Sequence, residues 1–132
     1  MAITHSVTIG YNDGARTISK TETFGGNTAD SESSDVAVTA AVTNLLIPFA
    51  VTRSKLQSMM LVCDTACTIK TNTTTGADTW ALAANEPWYW SNKTPYCNAT
   101  TAIPGGDITA LYYTQAGATT GSFSARAVQN IT

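Results

Sequence analysis

A chain of 132 residues and 13.9 kDa in which 43% are hydrophobic has enough apolar material for one domain with its own core, which excludes disorder. Charged residues make up 12%, about half the usual share, and 7 basic against 9 acidic residues leave a net charge of −2, so a basic nucleic-acid surface and an acidic tail are both excluded. No apolar run approaches the ~18 residues of a membrane span and the amino-terminal stretch lacks the apolar core of an export signal, so synthesis in a cytoplasm, without membrane association, is expected.

In place of charge the chain carries 24 threonines, 10 serines and 19 alanines. Threonine is β-branched and favours extended backbone, so composition alone points to sheet. Ile3 to Tyr11 alternates, with Ile3, His5, Val7 and Ile9 on one side and Thr4, Ser6 and Thr8 on the other. Asn12-Asp13-Gly14 follows, and an Asp-Gly pair tolerates the positive φ of a tight primed turn, so Arg16 to Phe24 is expected to return as the second arm of a hairpin. Gly25 to Asp35 is almost free of apolar residues and reads as an exposed loop. Val36 to Val42 and Leu45 to Val51 are two further strands, the second demoted to an edge or a bulge by Pro48.

Lys55 to Cys63 is apolar on both faces and is expected to be the central strand. Across the short Asp64-Thr65-Ala66 turn, Cys67 to Asn72 returns as a hairpin partner with Ile69 inward. A polar loop from Thr73 to Ala77 precedes Asp78 to Ala83, where Trp80 and Leu82 share a face. Pro87 to Trp90 is a short aromatic strand, and Ser91 to Gly106 is a long irregular connection. Ile108 to Thr114 and Gly121 to Val128 are expected to close the chain as a hairpin. Ala125 and Ala127 stand where bulkier residues are usual, which predicts loose packing of the last strand. The rhythm is that of an antiparallel β-sandwich of nine or ten strands, with residues 1–35 forming a hairpin arm and polar loop and residues 36–132 the sandwich.

Catalytic chemistry is weakly represented. His5 is the one histidine, and a metal site needs several ligands close together, so a packed or interface role is expected for it. Serine nucleophiles need a base, and no glycine-flanked serine elbow lies near His5 in sequence. Asp30, Glu32 and Asp35 could offer oxygens to calcium, but their spacing is not that of a dedicated loop. Glu86 and Asp107 are the acids near the aromatic region, with nothing to place them face to face as a glycosidase pair. No catalytic residue, metal or cofactor is therefore expected.

The aromatic group Trp80, Trp88, Tyr89 and Trp90 is the strongest constellation. Exposed on a flat sheet, such rings stack on sugars, so a carbohydrate-binding module is one reading. In a strand Trp88 and Trp90 face one way and Tyr89 the other, so core packing with Trp80, or a subunit contact, is the stronger one. Trp88, Tyr89, Trp90 and Tyr113 are taken as candidate interface or glycan contacts. Cys63 and Cys67 flank a turn at bridging range, yet the odd count of Cys63, Cys67 and Cys97 without an export signal favours buried thiols. Asn72, Asn92, Asn98 and Asn130 each begin an Asn-x-Thr triplet that stays unmodified without export.

Ser54-Lys55-Leu56-Gln57 entering an apolar strand, Cys67-Thr68-Ile69-Lys70-Thr71-Asn72, Trp80-Ala81-Leu82-Ala83-Ala84, Pro87-Trp88-Tyr89-Trp90 and Asp107-Ile108-Thr109-Ala110-Leu111-Tyr112-Tyr113-Thr114 together resemble small virion structural proteins of tailed bacteriophages. The resemblance covers about residues 50 to 130 and implies a jelly-roll-like sandwich acting in a virion as a non-enzymatic decoration, cement or fibre-base protein. It further implies a homo-oligomer, a trimer or another closed oligomer, whose partner is the major capsid protein or another virion protein. A tail-tube or connector subunit is the alternative within the virion, with the sugar-binding module outside it. The polar break after the first hairpin suggests that residues up to Asp35 form an arm pairing with a neighbouring subunit's sheet.

Overall fold

Alternating burial along nearly every segment produces strands, and a computed structural model places ten of them among the described residues, 2–27, 31–75, 78–93, 106–117 and 119–130. In chain order these are β1 (Ala2–Asn12), β2 (Thr17–Asn27), β3 (Glu32–Val38), β4 (Val42–Val51), β5 (Leu56–Cys63), β6 (Cys67–Thr71), β7 (Thr79–Leu82), β8 (Trp88–Ser91), β9 (Ile108–Gln115) and β10 (Gly121–Gln129). One 3-10 turn, Arg53–Lys55, is the helical element among them, and no helix is long and apolar enough to cross a membrane.

Strands β1 and β2 form a separate two-stranded ribbon; the others make sheet I, in the order β3-β10-β5-β8, and sheet II, in the order β4-β9-β6-β7. Every pairing is antiparallel. The pairings are nested: β3 with β10, β4 with β9, β5 with β8 and β6 with β7, as though one long hairpin had been rolled up. The inner faces of the two sheets supply the core, with Ile47, Phe49, Met59, Leu61, Ile69, Trp80, Leu111, Tyr113 and Phe123 almost wholly buried.

Rolling up explains why two expected hairpins are absent. The strands β9 and β10 are consecutive but lie in different sheets, and so do β5 and β6. At the first corner the Gln115 carboxamide is buried and donates to the carbonyls of Gly117 (3.3 Å) and Thr119 (2.8 Å), while its Oε1 accepts the Tyr113 hydroxyl at 2.5 Å. Those bonds satisfy the corner internally, so no ladder is needed there. At the second corner the Asp64 carboxylate accepts from the Ser122 backbone N–H (2.7 Å) and hydroxyl (2.8 Å), tying the corner to β10.

Three further expectations are corrected. The polar stretch before Asp35 is not a loop throughout: β2 runs on to Asn27 and β3 begins at Glu32, with Asp35 inside it, because Ser33, Asp35 and Ala37 face solvent while β10 supplies the ladder. The first turn is longer than a two-residue primed turn. Gly14 does take φ +85°, but the loop spans Asp13 to Arg16, and Asn12 and Asp13 side chains accept the N–H groups of Gly14, Ala15 and Arg16. Ala125 and Ala127 are fully buried in an inner strand, where small side chains fit beneath the large rings of the same core. Pro48 lies on the edge strand β4, where a missing N–H costs no ladder bond.

Candidate interaction surface

The ribbon lies across the outer face of sheet I, and its docking can be followed residue by residue. Alternation and register put Ile3, His5 and Val7 of β1 on one face with Gly26, Phe24 and Glu22 of β2. Ile3 and His5 border a cavity of about 350 Å³ closed on the other side by Glu32, Arg126 and Val128 of β3 and β10. The His5 Nδ1 and the buried Ser58 hydroxyl of β5 are 2.6 Å apart. Val7 and Phe24 are buried and pack with Tyr89 of β8. Past β8, Glu22 pairs with Lys93, whose ammonium also sits 5.8 Å from the centre of the Phe24 ring. The ribbon therefore crosses β3 and β10, then β5, then β8, and its remaining length overhangs the β8 edge.

Glycine at 26 makes this approach feasible. A Cβ there would lie 2.3 Å from the Gln129 carbonyl oxygen and 2.7 Å from Val128 Cγ1. On the ribbon's other face hydroxyls pair across the strands, Ser6 with Thr23 (3.2 Å) and Thr8 with Thr21 (2.7 Å), which stiffens it without charge.

Beyond Val7 the same apolar stripe continues with nothing over it. Tyr11 sits directly opposite Ile18 and Ile9 opposite Lys20, and Ile9, Tyr11 and Ile18 are 45%, 62% and 71% exposed. These three are the most telling residues of the surface, and the sequence reading missed them as a group. The available signal was the strict alternation from Ile3 to Tyr11, which is too long for the width of one four-stranded sheet.

The aromatic candidates are dispersed by the fold. Trp88 is buried and stacks on Trp80 with ring centres 4.6 Å apart. Trp90 packs against the main core with the Arg53 guanidinium 4.6 Å from its ring, and Tyr89, on the opposite face, lies half-buried beneath the ribbon. They present no common platform. Tyr113 is corrected outright as a surface contact: it is 1% exposed and bonded to Gln115, and burial pushes its hydroxyl up to about 12.

Residues with reactive potential are occupied structurally. Burial lowers the His5 imidazole below its usual range, and its Nε2 is buried without a partner. Ser58, though in contact with it, is fully buried and out of reach of a substrate. Asp35 is held below the usual carboxylate range by the Ser124 hydroxyl and then by Arg126, which grips it through Nη2 at 2.9 Å to both oxygens. Asp107 accepts from the Arg53 N–H, and no cluster of three metal-ligating groups occurs among the described residues. Asp30 and Cys97 lie outside those residues. Cys63 and Cys67 are free, buried thiols, both raised chiefly by desolvation; Cys63 Sγ donates to the Ala83 carbonyl at 3.5 Å. Asn72 has φ +64° and its carboxamide joins the Thr109 N–H (2.7 Å) to the Asp107 carbonyl (3.0 Å), which gives it a fold role.

Comparisons with protein families, with characterised proteins and with solved structures return no match to this chain.

Proposed function

We propose that the chain is a non-enzymatic structural subunit of a tailed-phage virion, decorating or cementing the shell as a homo-oligomer. The observation that carries the reading is the overhanging ribbon, on which the apolar residues Ile9, Tyr11 and Ile18 stay exposed beyond the docked half. An exposed apolar stripe on a protruding element is unfavourable for a solitary protein and useful for one that works in contact with others. The nested strand order supports a jelly-roll-like reading of the sandwich, in keeping with the phrases of sequence that resemble virion proteins. Low charge reduces repulsion between copies, and threonine hydroxyls supply neutral hydrogen bonds at contacts.

The test is the mass of the full chain by light scattering across a wide concentration range, followed by co-sedimentation with tailed-phage heads. A trimer or another closed oligomer that sediments with heads is the expected result. A monomer at every concentration that leaves heads bare overturns the proposal. Stacked rings or tubes in negative-stain images would move the subunit from shell to tail.

A further inference from the structure

The ribbon tip has a counterpart elsewhere on the same molecule. On the outer face of sheet II the registers align Thr114, Thr68 and Ala81 in one row across β9, β6 and β7. The next row on that face holds the bulkier Tyr112 and Lys70. A row of small side chains beside a row of large ones leaves a depression, and a groove of about 300 Å³ is present there, lined by Thr68, Ala81, Leu82, Thr114 and Ala116. We propose that the ribbon tip of one copy, with Tyr11 as anchor, seats in this groove of a second copy, so that subunits join head to tail.

Three observations select a second copy as occupant. The tip continues the face through which Val7 and Phe24 already dock on the protein's own sandwich, so the stripe is of proven packing quality over half its length. The ribbon overlies sheet I whereas the groove opens on the far side of the sandwich, so a chain does not fill its own groove with its own tip. Charge is also complementary. The tip carries Arg16 and Lys20, and its one acid, Asp13, is engaged with the N–H groups of Ala15 and Arg16. The sandwich end around the groove, formed by the connections 39–41, 64–66 and 83–87 among others, carries Asp64, whose carboxylate is engaged by Ser122, and the exposed Glu86, which is the acid placed to meet Arg16 and Lys20, while Lys70 stands one row further from that end. An aromatic anchor in a pocket with a charged rim is the usual arrangement of a contact whose energy is concentrated in few residues.

Tip and groove are different patches, so the contact is heterologous and adds subunits head to tail, giving a ring where the rotation between copies closes and a filament where it does not. The inference rests on the structural-subunit reading and names the contact that reading requires. It is tested with Tyr11→Asp, which spoils the tip, and Ala81→Trp, which fills the groove; both residues are exposed. Each variant alone is expected to run as a monomer by light scattering where the wild type is oligomeric. An equimolar mixture is expected to stop at a one-to-one dimer, because one sound tip and one sound groove remain. Tyr11→Phe retains the wild-type mass, and circular dichroism confirms folding; should either variant misfold, Ile18→Lys and Thr68→Trp repeat the test. Oligomers of unchanged mass in both variants, or a mixture that stays monomeric, overturn the head-to-tail contact while leaving the structural-subunit reading in place. A wild type that never associates, with itself or with phage heads, overturns both.

Discussion

Gly25 and Gly26 are neighbours in β2 whose side-chain positions face opposite ways, and replacing each by alanine separates the docking of the ribbon from its intrinsic stability. At 25 an added Cβ meets nothing within 4 Å; at 26 it lies 2.3 Å from the Gln129 carbonyl oxygen, about 1 Å inside an ordinary contact. That oxygen belongs to β10, where Gln129 is paired with Leu56 of β5, so the ribbon has to yield rather than the sandwich. Two responses compete. Full release exposes Val7 and Phe24, at about 1.5–3 kcal/mol each, and breaks the His5 contact with Ser58. Staying docked under strain costs about 1–3 kcal/mol, so strain is the cheaper response and sets the size of the effect. A detached two-stranded ribbon is marginal in water, so its ladder amides report undocking directly. Gly26→Ala is expected to speed hydrogen exchange of the β1–β2 ladder by roughly 5–150-fold relative to wild type while the β9 and β10 amides keep theirs. Gly25→Ala leaves exchange unchanged or slows it, because alanine lowers the entropy of the free chain. Equal effects of the two substitutions would refute the docking geometry.

Acidification should loosen the same ribbon. The His5 imidazole is lowered by burial, its Nε2 has no acceptor, and the groups around it are Ser58, Phe24, Glu32 and Arg126, so the free ribbon binds a proton more readily than the docked one. Docking is then complete above the ordinary imidazole value of about 6.5 and weakens as pH falls below it; ribbon exchange protection that is flat from neutral pH to about pH 5 contradicts this. Trp80→Ala should cost about 3–5 kcal/mol in urea unfolding, and Trp80→Phe distinctly less, since both remove the unpartnered indole N–H but phenylalanine keeps a ring against Trp88 and leaves the smaller cavity; equal costs would argue against that packing. In a Cys97→Ser background, Cys63 and Cys67 should resist iodoacetamide at pH 8 until the protein unfolds, and labelling that outpaces unfolding would place them nearer the surface. Arg126→Ala should leave the thermal midpoint close to that of the wild type, because its pair with Asp35 is exposed and screened by solvent; a large drop contradicts that.

Strand faces were legible in the sequence because side-chain direction has period two: Ile69 inward, Trp80 with Leu82, and Met59 with Leu61 and Cys63 all lie where alternation puts them. Strand neighbours were not. A short polar link between two strands is compatible with a hairpin or with a corner between sheets, and at Asp64 and Gln115 the choice was made by side-chain bonds to residues 58 and 2–4 positions away respectively, which spacing does not encode. Tyr113 illustrates the limit for the site. Its position beside Tyr112 marks one of the two as inward, but only the partner strands β4 and β6 decide which. The ribbon was visible as a hairpin, while the division between its docked and overhanging halves depends on the width of a sheet assembled from residues far along the chain.

Edge protection gives the overhang its meaning. A threonine-rich, weakly charged β-protein risks open-ended strand addition at every exposed edge. Here β4 carries Pro48 and a register break where Asn44 takes φ +53°, β7 and β8 have four residues each, and β3 bears the exposed Asp35 bridged to Arg126. All four edges of the sandwich thus carry such a device, and the large apolar groups left exposed are Ile9, Tyr11 and Ile18 on the ribbon and Leu45 and Leu46 on β4. Left in water, the cross-strand pair of Tyr11 and Ile18 is worth about 0.2–1 kcal/mol; buried against another body, each side chain is worth about 1.5–3 kcal/mol. With open-ended strand addition suppressed at the edges, the proposed subunit contact falls to the side chains that remain exposed, and Tyr11 and Ile18, the most exposed of them and carried on a projecting element, gain the most from being covered.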